Sequence, residues 1–171
     1  MAVTPRALGV AVAILTFAAD QANKLWLIFV YGVERRQPIA LTPFFDVVFA
    51  KNPGISYSLF SARTEFQRYA LLAVTLAATA FLIAWAWRAK TRLVALALGL
   101  IVGGALGNAY DRLAYGFVAD FYHFHVKSFS WYVFNLADAA IVVGVAILIF
   151  ESLFGAKAVE KDASANDASA R

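Results

Sequence analysis

Three aspartates, Asp111, Asp120 and Asp138, fall close together in the chain, and Asn108 and Asn135 each stand three residues before one of them. Two carboxylates held near each other cannot both ionise easily. They share a proton, leaving one acid and one base able to activate water against an amide. This is the equipment of an aspartyl protease. By spacing alone, Asp111 could pair with Asp138 as readily as Asp120 could. Asn108, Asp111 and Arg112 share one helical face at i, i+3 and i+4. An acid at a helix C-terminus is opposed by the macrodipole, so Asp111 calls for Arg112 or another nearby donor. Asn135 followed by Asp138 resembles a capping box, where the dipole favours an acid. Asp120, flanked by Ala119 and Phe121 just outside the third span, is by itself open to two readings, a surface-loop acid or a functional one.

Other chemistries have weaker footing. His123 and His125 alternate with Phe124 and could join Asp120 around a metal, but two histidines at i, i+2 in an aromatic segment more often mark a surface. The chain has no Cys, which removes thiolate nucleophiles and disulfides, and no Ser lies in a Gly-x-Ser-x-Gly turn. Neither a metal nor a cofactor is expected.

The elements that must position these residues are strongly apolar. Of 171 residues, 62% are hydrophobic and 15% charged, against about 25% charged in soluble domains. Residues 69–87, 93–110 and 139–150 hold no charge, and residues 7–33 hold only Asp20 and Lys24. Four transmembrane helices follow, at 8–31, 67–87, 93–111 and 135–154, in a small bundle. The first run could be a signal peptide, but apolarity resumes from Leu25 to Tyr31, so it reads as a retained helix. Lys and Arg divide evenly between the two sides, with Arg88, Lys90 and Arg92 clustered in one turn behind Trp85 and Trp87. That cluster places the turn and both termini in the cytoplasm. The tail, 155–171, reads as disordered. Segments 38–60 and 117–134 are aromatic and lie at the opposite membrane surface, the first with short strands and turns. Asp20 and Lys24, at i and i+4, neutralise each other on one face. Gly99, Gly103 and Gly107 suit close helix packing. No basic run suggests nucleic acid.

Five ordered blocks resemble those of the bacterial lipoprotein signal peptidase, signal peptidase II: Asp20-Gln21-Ala22-Asn23-Lys24, Asn52-Pro53-Gly54, Gly107-Asn108-Ala109-Tyr110-Asp111-Arg112, Val118-Ala119-Asp120-Phe121 and Asn135-Leu136-Ala137-Asp138. The resemblance implies an all-α membrane protein, a four-transmembrane-helix bundle with a small extracytoplasmic β-cradle from segment 38–60. It implies an intramembrane aspartic endopeptidase of the bacterial inner membrane that cuts prolipoproteins on the amino side of a diacylglyceryl-cysteine. The catalytic aspartates would be Asp120 and Asp138. Asn52, Gly54, Asn108, Arg112 and Asn135 would line the site for substrate and globomycin-type inhibitors, and Asp20, Lys24 and Asp111 would support it. Partners would be prolipoproteins and membrane lipid. Ile55 and Ser56 depart mildly from the family pattern. A small proton-coupled transporter using Asp20 and Lys24 is the alternative.

Overall fold

The structure is a computed structural model that describes residues 3–54 and 64–169. Four long helices and one small antiparallel sheet make up these residues. Helix α1, Pro5–Leu25, begins where Thr4 accepts a 3.2 Å hydrogen bond from Ala7 N and Pro5 supplies a preset first turn. It runs on as a π-helical segment, Trp26–Tyr31, and stops at Gly32, whose φ of 69° favours glycine. Helix α2, Glu65–Ala86, opens with a capping box in which Thr64 and Gln67 exchange bonds of 3.1 and 3.2 Å. Helix α3 spans Arg92–Ala114 and α4 spans Leu136–Ser169. Helix α4 runs on past Phe154 to Ser169.

Glu65–Ala86, Arg92–Ala114 and Leu136–Phe154 are long and apolar enough to cross a membrane. Helix α1 is not among them, because its last turns carry Asp20, Gln21, Asn23 and Lys24. Large apolar side chains of α2 and α4, among them Phe66, Val74, Phe81, Val142 and Phe150, are exposed on the outside of the bundle. A water-soluble protein rarely shows so much apolar surface; lipid is the solvent that suits it.

Helix α3 is the central element. A Cβ on Gly103 would stand 2.5 Å from Ala13 O of α1, and one on Gly104 would stand 2.5 Å from Ala137 O of α4. Only glycine permits two backbones to pack this closely on α3.

The sheet is an antiparallel meander in the order β1, β2, β3, β4, formed by Ile39–Thr42, Phe45–Asn52, Val118–Val126 and Phe129–Ser130. The fold is thus mostly helical, with a sheet larger than segment 38–60 alone. Segment 117–134 does not merely lie on a surface, since β3 and β4 come from it. The sequence hid β3 because Val118, Ala119, Asp120 and Phe121 are all buried, so its beginning lacks the alternation of a half-exposed strand. Phe121 and Ala119 pack with Leu27, Val33 and Val47 in a core that joins the sheet to the end of α1. Of the first outer segment, residues 55–60, including Ile55 and Ser56, lie outside the described residues.

Candidate active site

The acids are brought together by a short backbone pairing. Tyr122 N donates to Phe134 O at 2.8 Å, and Phe134 N returns a bond to Tyr122 O at 2.9 Å. This bridge sets the residues that open α4 beside the start of β3. Asp120, 2% exposed, is no surface-loop acid. Its Oδ1 accepts from Asn135 Nδ2 at 2.6 Å, and its Oδ2 accepts from Asn52 Nδ2 at 3.0 Å.

Asp138 lies in the first turn of α4, where the dipole stabilises a carboxylate. It forms the reciprocal cap that the spacing predicts: Asp138 N donates to Asn135 Oδ1 at 2.9 Å, and Asn135 N donates to Asp138 Oδ2 at 3.2 Å. Its other oxygen accepts from Asn108 Nδ2 at 2.8 Å. Asn135 Nδ2 also donates to Asn108 Oδ1 at 3.1 Å, so one fully buried asparagine touches both acids and the amide between them.

Burial pushes the Asp120 carboxyl up to about 7, and the negative charge of Asp138 adds to the rise. Hydrogen bonds from Asn52 and Asn135 and the charge of Lys24 oppose it. Asp120 is thus a carboxyl that can still carry a proton near neutrality.

Asp111 takes a different place. Lys24 Nζ lies 2.8 Å from Asp111 Oδ2 and 2.8 Å from Asp20 Oδ2, with all three side chains almost wholly buried. Gln21 Nε2 donates to Asp111 Oδ1 at 3.0 Å and to Asp20 Oδ2 at 3.1 Å. Ala119 N donates to Asp111 at 3.2 Å, and Ala137 N donates to Asp20 at 3.0 Å. Asp111 is thus occupied by Lys24, Gln21 and β3, so the donor it calls for is one other than Arg112. Asp20 and Lys24 do pair, but their reach is longer: the set ties α1 to α3, β3 and α4. Lys24 Nζ also lies 3.4 Å from Asn108 Oδ1 and so touches the acid site through that amide.

Arg112 Nη2 donates to Gly54 O at 3.0 Å and Nη1 to Asn108 O at 3.1 Å, while its buried Nε has no partner among the described residues. Gly54 N donates to Asn52 Oδ1 at 3.1 Å, which fixes the amide that bonds Asp120. Asp20, Lys24, Asn52, Asn108, Asp111, Arg112, Asp120, Asn135 and Asp138 thus fall into two joined networks. Tyr122 was not foreseen: its hydroxyl donates to Asn23 at 3.0 Å, and burial raises its pKa above the usual phenol value. Its even-numbered place on β3, two residues from Asp120, was the available signal. His123 and His125 lie on the other face of that strand and meet Asp46, not Asp120.

A family model described as signal peptidase (SPase) II matches residues 12–154. The lipoprotein signal peptidase of Methylocella silvestris is 77% identical over 154 residues, covering 90% of each chain. That of Beijerinckia indica subsp. indica is 62% identical over 149 residues, covering 87% of this chain and 89% of the relative. A bacterial membrane enzyme structure at 1.9 Å resolution superimposes with a TM-score of 0.72 at 22% identity, over 85% of this chain and 92% of that one. A second, at 2.3 Å, gives 0.69 at 23% identity over 85% and 87%. These two likenesses concern the fold.

Proposed function

The chain belongs to the signal peptidase II family and removes signal peptides from prolipoproteins; from that premise we propose that it does so as an aspartic endopeptidase, with Asp120 and Asp138 as its catalytic dyad. The observation that carries the proposal is the double grip of Asn135, whose amide bonds Asp120 while its backbone and side chain cap Asp138.

In the resting state the dyad shares one proton, held on Asp120, while Asp138 is the base favoured by the α4 N-terminus. Asp138 takes a proton from a water molecule as its oxygen attacks the scissile carbonyl carbon. Asp120 donates its proton to the carbonyl oxygen, giving a neutral tetrahedral diol. Collapse of that intermediate breaks the C–N bond. The proton gained by Asp138 passes to the leaving amine, and Asp120 recovers its own from the diol, so the pair ends as it began. Arg112, whose Nε has no partner among the described residues, supports binding of a backbone carbonyl or an ester oxygen of the substrate. Asn52, Gly54 and Asn108 complete the lining for substrate and for globomycin-type inhibitors.

The chain is a multi-pass membrane protein, and we take α1 as the fourth span. Its Asp20, Gln21 and Lys24 are buried against α3, while Val10, Ile14 and Leu15 are exposed on its outer side, so the face offered to lipid is apolar. Arg6 Nε donates to Trp87 O at 2.9 Å and Arg92 Nη2 to Val3 O at 3.3 Å, which groups the start of α1 with the α2–α3 turn on the proposed cytoplasmic side of the inner membrane. The dyad and the sheet then lie at the outer face, at the depth of a substrate anchored by its diacylglyceryl-cysteine. The sheet serves as the cradle. The transporter alternative finds no support: the relatives are signal peptidases, and Lys24 is held by two buried acids.

The test is cleavage of a diacylglyceryl-modified prolipoprotein by the purified protein in detergent. Asp120→Asn and Asp138→Asn should each lose about 10²- to 10⁴-fold in rate, whereas Asp111→Asn should keep measurable turnover. Full activity in either of the first two sinks the dyad. An Asp111→Asn protein as inactive as they are, with unchanged thermal stability, would move the dyad to Asp111.

A further inference from the structure

We infer that Asp46, His123 and His125 form a surface site for a divalent first-row transition ion, with Zn²⁺ the best-fitting occupant. Strand geometry brings the three together. His123 and His125 are two residues apart on β3 and share a face, and Asp46 on β2 is the cross-strand partner of His123. One potential ligand atom from each lies within 4.8 Å of the others. His125 Nε2 is 2.9 Å from Asp46 Oδ2, and the two imidazole rings stand 5.1 Å apart between centroids.

Tetrahedral Zn²⁺, with bonds of about 2.0–2.1 Å, needs neighbouring ligand atoms about 3.3 Å apart. Modest side-chain rotation closes the set to that spacing. All three residues are partly exposed, so water can fill the remaining position. Ser130 Oγ, 2.8 Å from His123 Nε2, restrains that ring from β4 and gives up this bond when the nitrogen turns to the ion. Two imidazoles and a carboxylate select Zn²⁺, Cu²⁺ or Ni²⁺ over Mg²⁺ and Ca²⁺, which prefer all-oxygen cages.

The site is separate from the dyad. Odd-numbered His123 and His125 project from the face of β3 opposite to Asp120, and His125 is five residues further along, about 17 Å of extended strand. An ion there ties β2 to β3, the strands that carry Asn52 and Asp120, without touching either.

The whole chain in detergent, stripped with a chelator, is titrated with ZnCl₂ and in parallel with MgCl₂ by calorimetry, and its unfolding midpoint is measured at each loading. One Zn²⁺ per chain and a raised midpoint are expected, with no response to Mg²⁺. Loss of outer-shell partners alone costs about 10- to 100-fold in affinity, so His123→Gln with His125→Gln should lose at least about 100-fold. Asp46→Asn, which leaves both rings in place, should lose at least about tenfold. Asp120→Asn should bind Zn²⁺ as the wild type does, and prolipoprotein cleavage by the histidine variant should match the wild-type rate. Absence of stoichiometric Zn²⁺, equal affinity for Mg²⁺, affinity unchanged in the histidine or Asp46 variants, or affinity lost in Asp120→Asn each overturns the site. A histidine variant that cannot cleave overturns its separation from the dyad.

Discussion

At the scale of single residues, the proposed proton on Asp120 sets two pH dependences of the same sign. Cleavage needs one proton in the dyad, so the rate should fall as pH rises through about 7, where Asp120 loses it. Asn52 favours the charged carboxylate by donating to it, and its removal should shift that limb upward. A pH–rate profile of Asn52→Ala beside wild type checks this; a limb that stays put or moves down refutes the assignment. Stability follows the same group by linkage. The carboxyl is raised from 3.8 unfolded to about 7 folded, so the native state binds the extra proton between those values. The stabilisation is full below 3.8 and is lost as pH rises through about 7. Asp120→Asn cannot ionise. Its unfolding midpoint should therefore gain on the wild type between pH 5 and pH 8, by an amount corresponding to a few kcal/mol at most. A constant gap across that range would show that Asp120 ionises as freely in the native state as in the unfolded one. Lys24 is the reverse case, a cation whose loss leaves Asp20 and Asp111 buried and unpaired. Lys24→Met should cost about 3–5 kcal/mol, read as a fall in the unfolding midpoint in detergent. A midpoint within a degree of the wild type would mean that the two acids find other donors.

At the scale of elements, the site depends on how α4 begins. The two bonds between Phe134 and Tyr122 put Asn135 beside Asp120. Proline at 134 cannot donate to Tyr122 O, so Phe134→Pro should abolish cleavage while leaving the helical circular dichroism nearly intact. Retained cleavage would show that packing of α4 alone suffices. Helix α3 tests the other support. Gly103→Val puts a branched side chain where a Cβ already meets Ala13 O at 2.5 Å, so α1 must move and carry Lys24 with it. A cost of about 1–3 kcal/mol is expected for such overpacking, with activity lost in step. These elements were unequally legible in the sequence. The helices were plain because charge-free runs of this length have few other uses, and the cap at Asn135 follows local spacing. Strand β3 was not, because burial on both faces erases alternation at Val118–Phe121. The partner of Asp111 was also hidden: Lys24 is 87 residues away, and only the close packing of α1 on α3 brings it near.

At the scale of the whole molecule, the apolar exterior and the two polar networks define opposite directions. The absence of Cys makes topology directly testable by labelling in intact cells. A cysteine placed at Ser128, in the turn between β3 and β4, should react with an impermeant maleimide from outside, whereas one at Lys90 should react only after lysis. The reverse pattern would invert the proposed orientation. Assembly of the site also spans the whole chain. Asp120, on β3, is made well before Asn135 and Asp138 are reached, and neither of its amide partners is adjacent in sequence. Under the proposed dyad, a chain still being made, with α4 not yet inserted, holds Asp120 without Asp138, the acid that shares its proton. Under that proposal the protein behaves as a zymogen without a propeptide, with α4 as the activating segment whose insertion brings the second acid to the first.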